Sequence, residues 1–141
     1  MLPRTFAERL ESWKDLRLNA QNLPLQQSLE LINSWWFQTP WRVYHLHWDD
    51  RPTWPDPWQL LDDNMYCSLA RGLGIMYTLA IIERDDTQDA ALVEVGGDNL
   101  VQVSGKKYIL NWEANEIVNI NLEATKMSRC VTLDQIQQKL R

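Results

Sequence analysis

The segment from Trp54 to Ile82 constrains the fold of this chain more than any other. A polar turn, Asp62-Asp63-Asn64, leads into a short helix with Cys67 in its first turn. Gly72 or Gly74 stops that helix, and Ile75–Glu83 reads as a hydrophobic strand. The grammar changes across this segment, from helical spacing before it to short strands after it. A thiol at the start of a helix faces the positive end of the helix dipole, a natural place for a cysteine nucleophile.

The first half is helical. Thr5-Phe6-Ala7-Glu8 reads as a capping box, with Phe6, Leu10 and Trp13 on one face of a helix to about Asn19. Asn22 is placed to cap a second helix, in which Leu25, Leu29, Ile32 and Trp36 repeat at helical spacing. Pro40 bars further helix, and Trp41–Leu46 alternates weakly, as a short strand would. Asp56-Pro57 is an N-cap followed by proline at the first helical position, opening a helix through Leu61.

In the second half, Ala90–Val95 and Leu100–Val103 read as strands paired across the hairpin signal Gly96-Gly97-Asp98-Asn99. Lys107–Trp112 is the next strand and Ile117–Leu122 one more. Thr132-Leu133-Asp134-Gln135 starts a C-terminal helix. Helices followed by an antiparallel meander predict an α+β fold, one domain over residues 1–141, with the cysteine-bearing helix packed on an antiparallel sheet.

The lead-in Trp54-Pro55-Asp56-Pro57-Trp58-Gln59-Leu60-Leu61, the aspartate-rich turn before Cys67 and the closing Leu73-Gly74-Ile75 resemble the nucleophile segment of the transglutaminase-like superfamily, most closely its bacterial cysteine-proteinase-like branch. Leu31-Ile32-Asn33 also looks like that family's second-helix end, and the likeness covers roughly Leu25–Trp112. The resemblance implies a transglutaminase/papain-like core. It also implies a His opening the strand after the nucleophile, and an Asp on the next long strand. Here Asp89 stands at the His position and Asn111 near the Asp position. A carboxylate beside a thiol cannot form the ion pair that holds a thiolate, and Asn111 has no imidazole to orient. The expectation is a degenerate enzyme fold. Cys67, Asp89 and Asn111 are then vestigial positions, Asp89 lies near Cys67, no histidine approaches the thiol, and no catalytic residue remains.

The two histidines, His45 and His47, both precede Cys67. Either would have to serve as an atypical base if the chain were a live cysteine peptidase or amidase. With Asp49 and Asp50 they resemble the first ligand box of metallo-β-lactamase-type hydrolases. The box's last His is Asp50, however, and no later His completes a zinc site, so no metal and no cofactor is expected. Gly72-Leu73-Gly74 is not a phosphate loop, and the acidic residues between Asp49 and Asp63 lack the spacing of a calcium loop.

Composition narrows the partners. Net charge is −5 with scattered Lys and Arg, against the basic face that nucleic acid requires. No run of about 18 apolar residues predicts a membrane span. The first residues lack a signal pattern, which predicts cytoplasmic synthesis. Six of the eight tryptophans fall between Trp35 and Trp58. Most are expected to be core, with one or two exposed as anchors for other protein subunits. Trp35, Trp41, Trp48, Trp54 and Trp58 are the candidate binding residues, and several exposed, coplanar rings would instead suggest a carbohydrate-binding module. A small, tryptophan-rich, enzyme-derived domain has the texture of a structural or interaction protein in a larger assembly. A tail or baseplate component of a tailed-phage virion is the preferred case.

Overall fold

Thr5 starts the first helix, its hydroxyl oxygen accepting from the Glu8 N–H at 3.2 Å and its proton going to the Glu8 carboxylate at 2.6 Å. The computed structural model describes residues 2–43, 46–103, 105, 107–114, 116–118 and 127–140. Helix α1 spans Phe6–Asn22 and α2 Leu25–Trp36. Asn22 closes α1 instead of capping α2, whose N-cap is Pro24. A 3₁₀ turn at Trp48–Thr53 precedes α3, Pro57–Asp63. The Asp56 carboxylate caps α3 by accepting from Gln59 N–H at 2.8 Å. Asn64, with φ of 50°, ends it in the left-handed region. Helix α4, Ser68–Ile82, leads to the strands β1 Ala91–Val95, β2 Asp98–Val103, β3 Tyr108–Glu113, β4 Glu116–Val118 and β5 Met127–Thr132, and α5 spans Leu133–Lys139.

The strand expected over Ile75–Glu83 is the second half of α4. Neither glycine stops the helix, because each is a contact point. A Cβ on Gly74 would lie 2.4 Å from the Trp36 ring, and one on Gly72 2.6 Å from the Leu92 side chain. Gly74 therefore lets α2 approach α4, and Gly72 lets β1 do so. With helices on one side and the sheet on the other, Leu73, Ile75, Met76, Tyr77 and Leu79 are all fully buried. A helix enclosed in this way has no polar face, so its sequence is an unbroken apolar run that periodicity does not separate from a strand.

The helical layer meets at Thr78. Trp13 Nε1 and Trp36 Nε1 donate to its hydroxyl oxygen at 3.0 and 2.9 Å, and that hydroxyl donates to Gly74 O at 2.9 Å. One hydroxyl thus uses its donor and both lone pairs, and two buried indoles keep their polar atoms satisfied. Trp36 also makes edge contacts with Trp13, Trp35 and Tyr66 at centroid distances of 6.5, 4.8 and 5.9 Å.

The sheet is antiparallel, in the order β4-β3-β2-β1-β5. Gly96 and Gly97, at φ of 57° and 87°, form the two-residue turn between β1 and β2. Leu92, Val101, Val103 and Leu110 face the helices and join the main core, while Val93, Val95, Leu100 and Ile109 form a smaller cluster. β5 is absent from the sequence reading because Val131 is its only buried residue, so it shows no apolar alternation. The box that opens α5 is reciprocal: Thr132 Oγ1 accepts from Gln135 N–H at 3.3 Å, and Gln135 Oε1 from Thr132 N–H at 3.0 Å. Of the strand expected at Trp41–Leu46, Trp41 makes an isolated parallel bridge to Tyr66, and residues 44–45 lie outside the described residues. Of the strand expected at Ile117–Leu122, residues 119–122 lie outside them.

Candidate functional site

Cys67 is the N-cap of α4, just outside the first turn where the sequence places it. Its sulfur accepts from the Ala70 N–H at 3.4 Å, the role usually taken by Ser, Thr or Asp, and only 7% of the residue is exposed. The next residue, Ser68, is fastened on two sides. Its hydroxyl oxygen accepts from Asn99 Nδ2 at 2.9 Å and its carbonyl from Asn111 Nδ2 at 2.8 Å. Asn99 Oδ1 in turn accepts from Trp48 Nε1 at 2.7 Å.

Asn111 is the hub of this network. It interrupts β3 with φ of 69°, a conformation Asn tolerates better than most residues. Its amide nitrogen donates to Ser68 O and, at 2.7 Å, to Asn99 O. Its amide oxygen accepts from Arg71 Nε at 2.6 Å, and its backbone N–H donates to Asn33 Oδ1 at 2.8 Å. Asn33 Nδ2 reaches Glu113 O at 2.7 Å. Asn111 therefore ties α4 to α2 and to β2, with both amide donors and the amide oxygen in use.

Arg71 follows Cys67 by one helical turn. Its guanidinium lies over the Phe37 ring, 3.8 Å from the centroid, and 5.8 Å from that of Trp41. Burial pushes its pKa down to about 10, with the ionised form of the Cys67 thiol pulling in the opposite direction.

Two adjoining clefts open at this end of α4. One, of about 410 Å³, is bordered by Trp41, His47, Cys67, Glu94, Asn99 and Arg129. The other, of about 380 Å³, is bordered by Trp41, Arg71, Asp98, Asn99, Asn111 and Trp112. Trp41, Ser68 and Asn99 form the saddle between them. Across the first cleft Arg129 pairs with Asp49 at 2.8 Å and with Glu94 at 3.8 Å.

Asp89 is not brought to Cys67. It precedes the start of β1, where its carboxylate accepts from the Gly105 N–H. Glu94, five residues further along, is what reaches the Cys67 cleft. At strand rise that separation is about 16 Å. The reason is the length of α4: it carries the chain away from Cys67, and β1 has to run back before it arrives. His47 shares the cleft with Cys67, and His45 lies outside the described residues. Among the described residues, no three or more His, Cys, Asp and Glu side chains come close enough together to hold a metal ion, and no helix is long and apolar enough to cross a membrane.

Most tryptophans between Trp35 and Trp58 are core and two are exposed, as expected, but Trp35, Trp48 and Trp54 of the candidate binding residues are among the buried ones. Trp35, Trp48 and Trp54 are buried, their indole N–H groups donating to Ser12 Oγ, Asn99 Oδ1 and His47 O. Trp41 is 60% exposed and Trp58 49%. Trp112, also 49% exposed, was missed. Strict alternation along β3 puts it on the inward side with Leu110, and the left-handed turn at Asn111 throws it outward. An Asn within an apolar strand was the available signal.

Comparison with protein-family models, curated proteins and solved structures finds no match.

Proposed function

We propose that this chain is a non-catalytic structural or interaction domain, a subunit of a larger protein assembly. Its fold descends from a transglutaminase-like enzyme, and a tail or baseplate of a phage particle is the assembly its tryptophan-rich texture suits. The observation that carries the reading is that the positions a cysteine hydrolase would use together are committed to other tasks. Cys67 serves as a helix cap, Asp89 sits at the far end of β1, and Asn111 is committed to fastening α4. A nucleophile needs a base within hydrogen-bond reach and a third group orienting that base. In addition, Trp41 and Trp112 are exposed and border the same cleft, as anchors for a partner would. The test uses Cys67→Ser and Trp41→Ala. Cys67→Ser is expected to leave association with the native complex unchanged in co-sedimentation, and Trp41→Ala to abolish it while the melting temperature holds. Cys67-dependent release of a fluorogenic peptide or amide would sink the proposal.

One observation favours the alternative, a live cysteine peptidase or amidase: His47 and Cys67 border the same cleft, with Asp49 beside them. In that case alkylation of Cys67 by iodoacetamide is fast near neutrality, and His47→Ala slows it at least tenfold. Equal rates in the two proteins exclude His47 as the base.

A further inference from the structure

Arg71 is held as a binding group is held, yet it forms no ion pair among the described residues. Nε is used by Asn111, one face is covered by Phe37, and Trp41 stands beside it. The two terminal amino groups donate to no partner among the described residues, and the side chain borders the groove between Trp41 and Trp112. Other arginines are treated differently. Arg9 spends its donors on the carbonyls of Leu61, Pro3, Arg4 and Asp62. Arg84 pairs with Asp86 and caps α1, and Arg129 pairs with Asp49 and Glu94. Arg17 also stacks, 4.3 Å over Trp13, but its Nε has no partner among the described residues to orient it.

Resting on the reading of this chain as an interaction domain, we propose that the Arg71 groove receives the carboxylate of an internal Asp or Glu in an extended segment of a partner protein, with the rings of Trp41 and Trp112 on either side. A planar carboxylate matches the paired amino groups of a guanidinium whose plane is already set. Burial that lowers the Arg71 pKa is a cost an incoming anion offsets. Asp98 and Glu113 border the same groove and select among anions. They repel a doubly charged phosphate more than a singly charged carboxylate, and they favour a basic residue next to the acid. The Cys67 cleft shares Trp41, Ser68 and Asn99 with this groove. Two adjoining clefts suit an extended segment that passes from one to the other better than a chain terminus.

The test pans the full chain against a phage-displayed library of random dodecapeptides held between fixed flanks, so that no selected segment has a free terminus. Synthetic peptides, blocked at both ends, are then made from the selected sequences. Selected sequences are expected to share one Asp or Glu. Changing that residue to Asn or Gln is expected to weaken binding at least tenfold, as are Arg71→Gln and Trp112→Ala in the protein. Inorganic phosphate at millimolar concentration is expected not to compete. If Arg71→Gln does not fold, the change in the peptide and the exposed Trp112 carry the test. Selection of no peptide, or of peptides without a shared acid, overturns the proposal, as does phosphate competition. Peptides that need Trp41 and Trp112 but bind Arg71→Gln normally overturn it too, while leaving the interaction reading intact. Cys67-dependent cleavage of a selected peptide overturns that reading instead.

Discussion

Replacing Asn111 by Asp separates an asparagine that holds the fold from one whose place a carboxylate would fill equally well. The two side chains have the same shape, so packing is kept. The amide nitrogen that donates to Ser68 O at 2.8 Å and Asn99 O at 2.7 Å becomes an oxygen facing two carbonyl oxygens. Losing two hydrogen bonds costs about 1 kcal/mol net for each. Repulsion adds to this, and the bond from Arg71 Nε, now to a charged acceptor, offsets part of it. The balance is a loss of roughly 2–3 kcal/mol at neutral pH. For a chain of this size that lowers the melting temperature by roughly 5–10 °C. Protonation restores one donor, and the two facing carbonyls favour it in the folded state. The deficit therefore shrinks as pH falls from neutral toward about 4, the ordinary Asp value, and changes no further below it. Two further variants isolate the backbone contribution. Asn111→Gly keeps φ of 69° and loses only the side-chain bonds, while Asn111→Ala adds left-handed strain of about 1–2 kcal/mol. Thermal melting by circular dichroism at pH 7 and pH 4 reads all three. An Asp variant as stable as the parent at pH 7 would refute the reasoning, because the site would then accept a carboxylate.

Thr78→Val keeps the shape and leaves the Trp13 and Trp36 N–H groups without an acceptor in the core. A loss of about 2–4 kcal/mol in urea unfolding is expected, against about 1 kcal/mol for Thr78→Ser. Burial raises the pKa of Tyr66 and of Tyr77 well above that of a free tyrosine. Above about pH 10 the unfolded chain releases these protons while the folded chain keeps them, so stability is full below that pH and falls as pH rises. Absorbance at 295 nm should show their ionisation only together with alkaline unfolding, and early ionisation in the folded protein would contradict their burial.

What was legible in the sequence closes over a few residues. The Asp56-Pro57 start of α3, the Thr132–Gln135 box and the Gly96-Gly97 turn all came through, because each depends on a bond or a dihedral within the motif itself. The α+β order was legible for the same reason: caps and turns divide the chain into helices first and strands after. Within the site, the place of Cys67 at the start of its helix was legible, and its surroundings were not. Asp89 was expected beside it and stands at the opposite end of β1. Trp35, Trp48 and Trp54 were candidate binding residues and are core, whereas Trp112 was not a candidate and is exposed.

The sequence by itself therefore determined where α1, α3 and α5 begin and where β1 turns into β2, since local hydrogen bonds and φ preferences act within about four residues. Tertiary structure decided whether Ile75–Ile82 became helix or strand, because enclosure on all sides removes the polar face that would have marked a helix. It decided which tryptophans stay outside, because Trp48 is held in by Asn99, 51 residues away. It also decided the setting of Arg71, which forms no ion pair among the described residues, because Phe37, Trp41 and Asn111 meet around it only when α2, α4 and β3 pack.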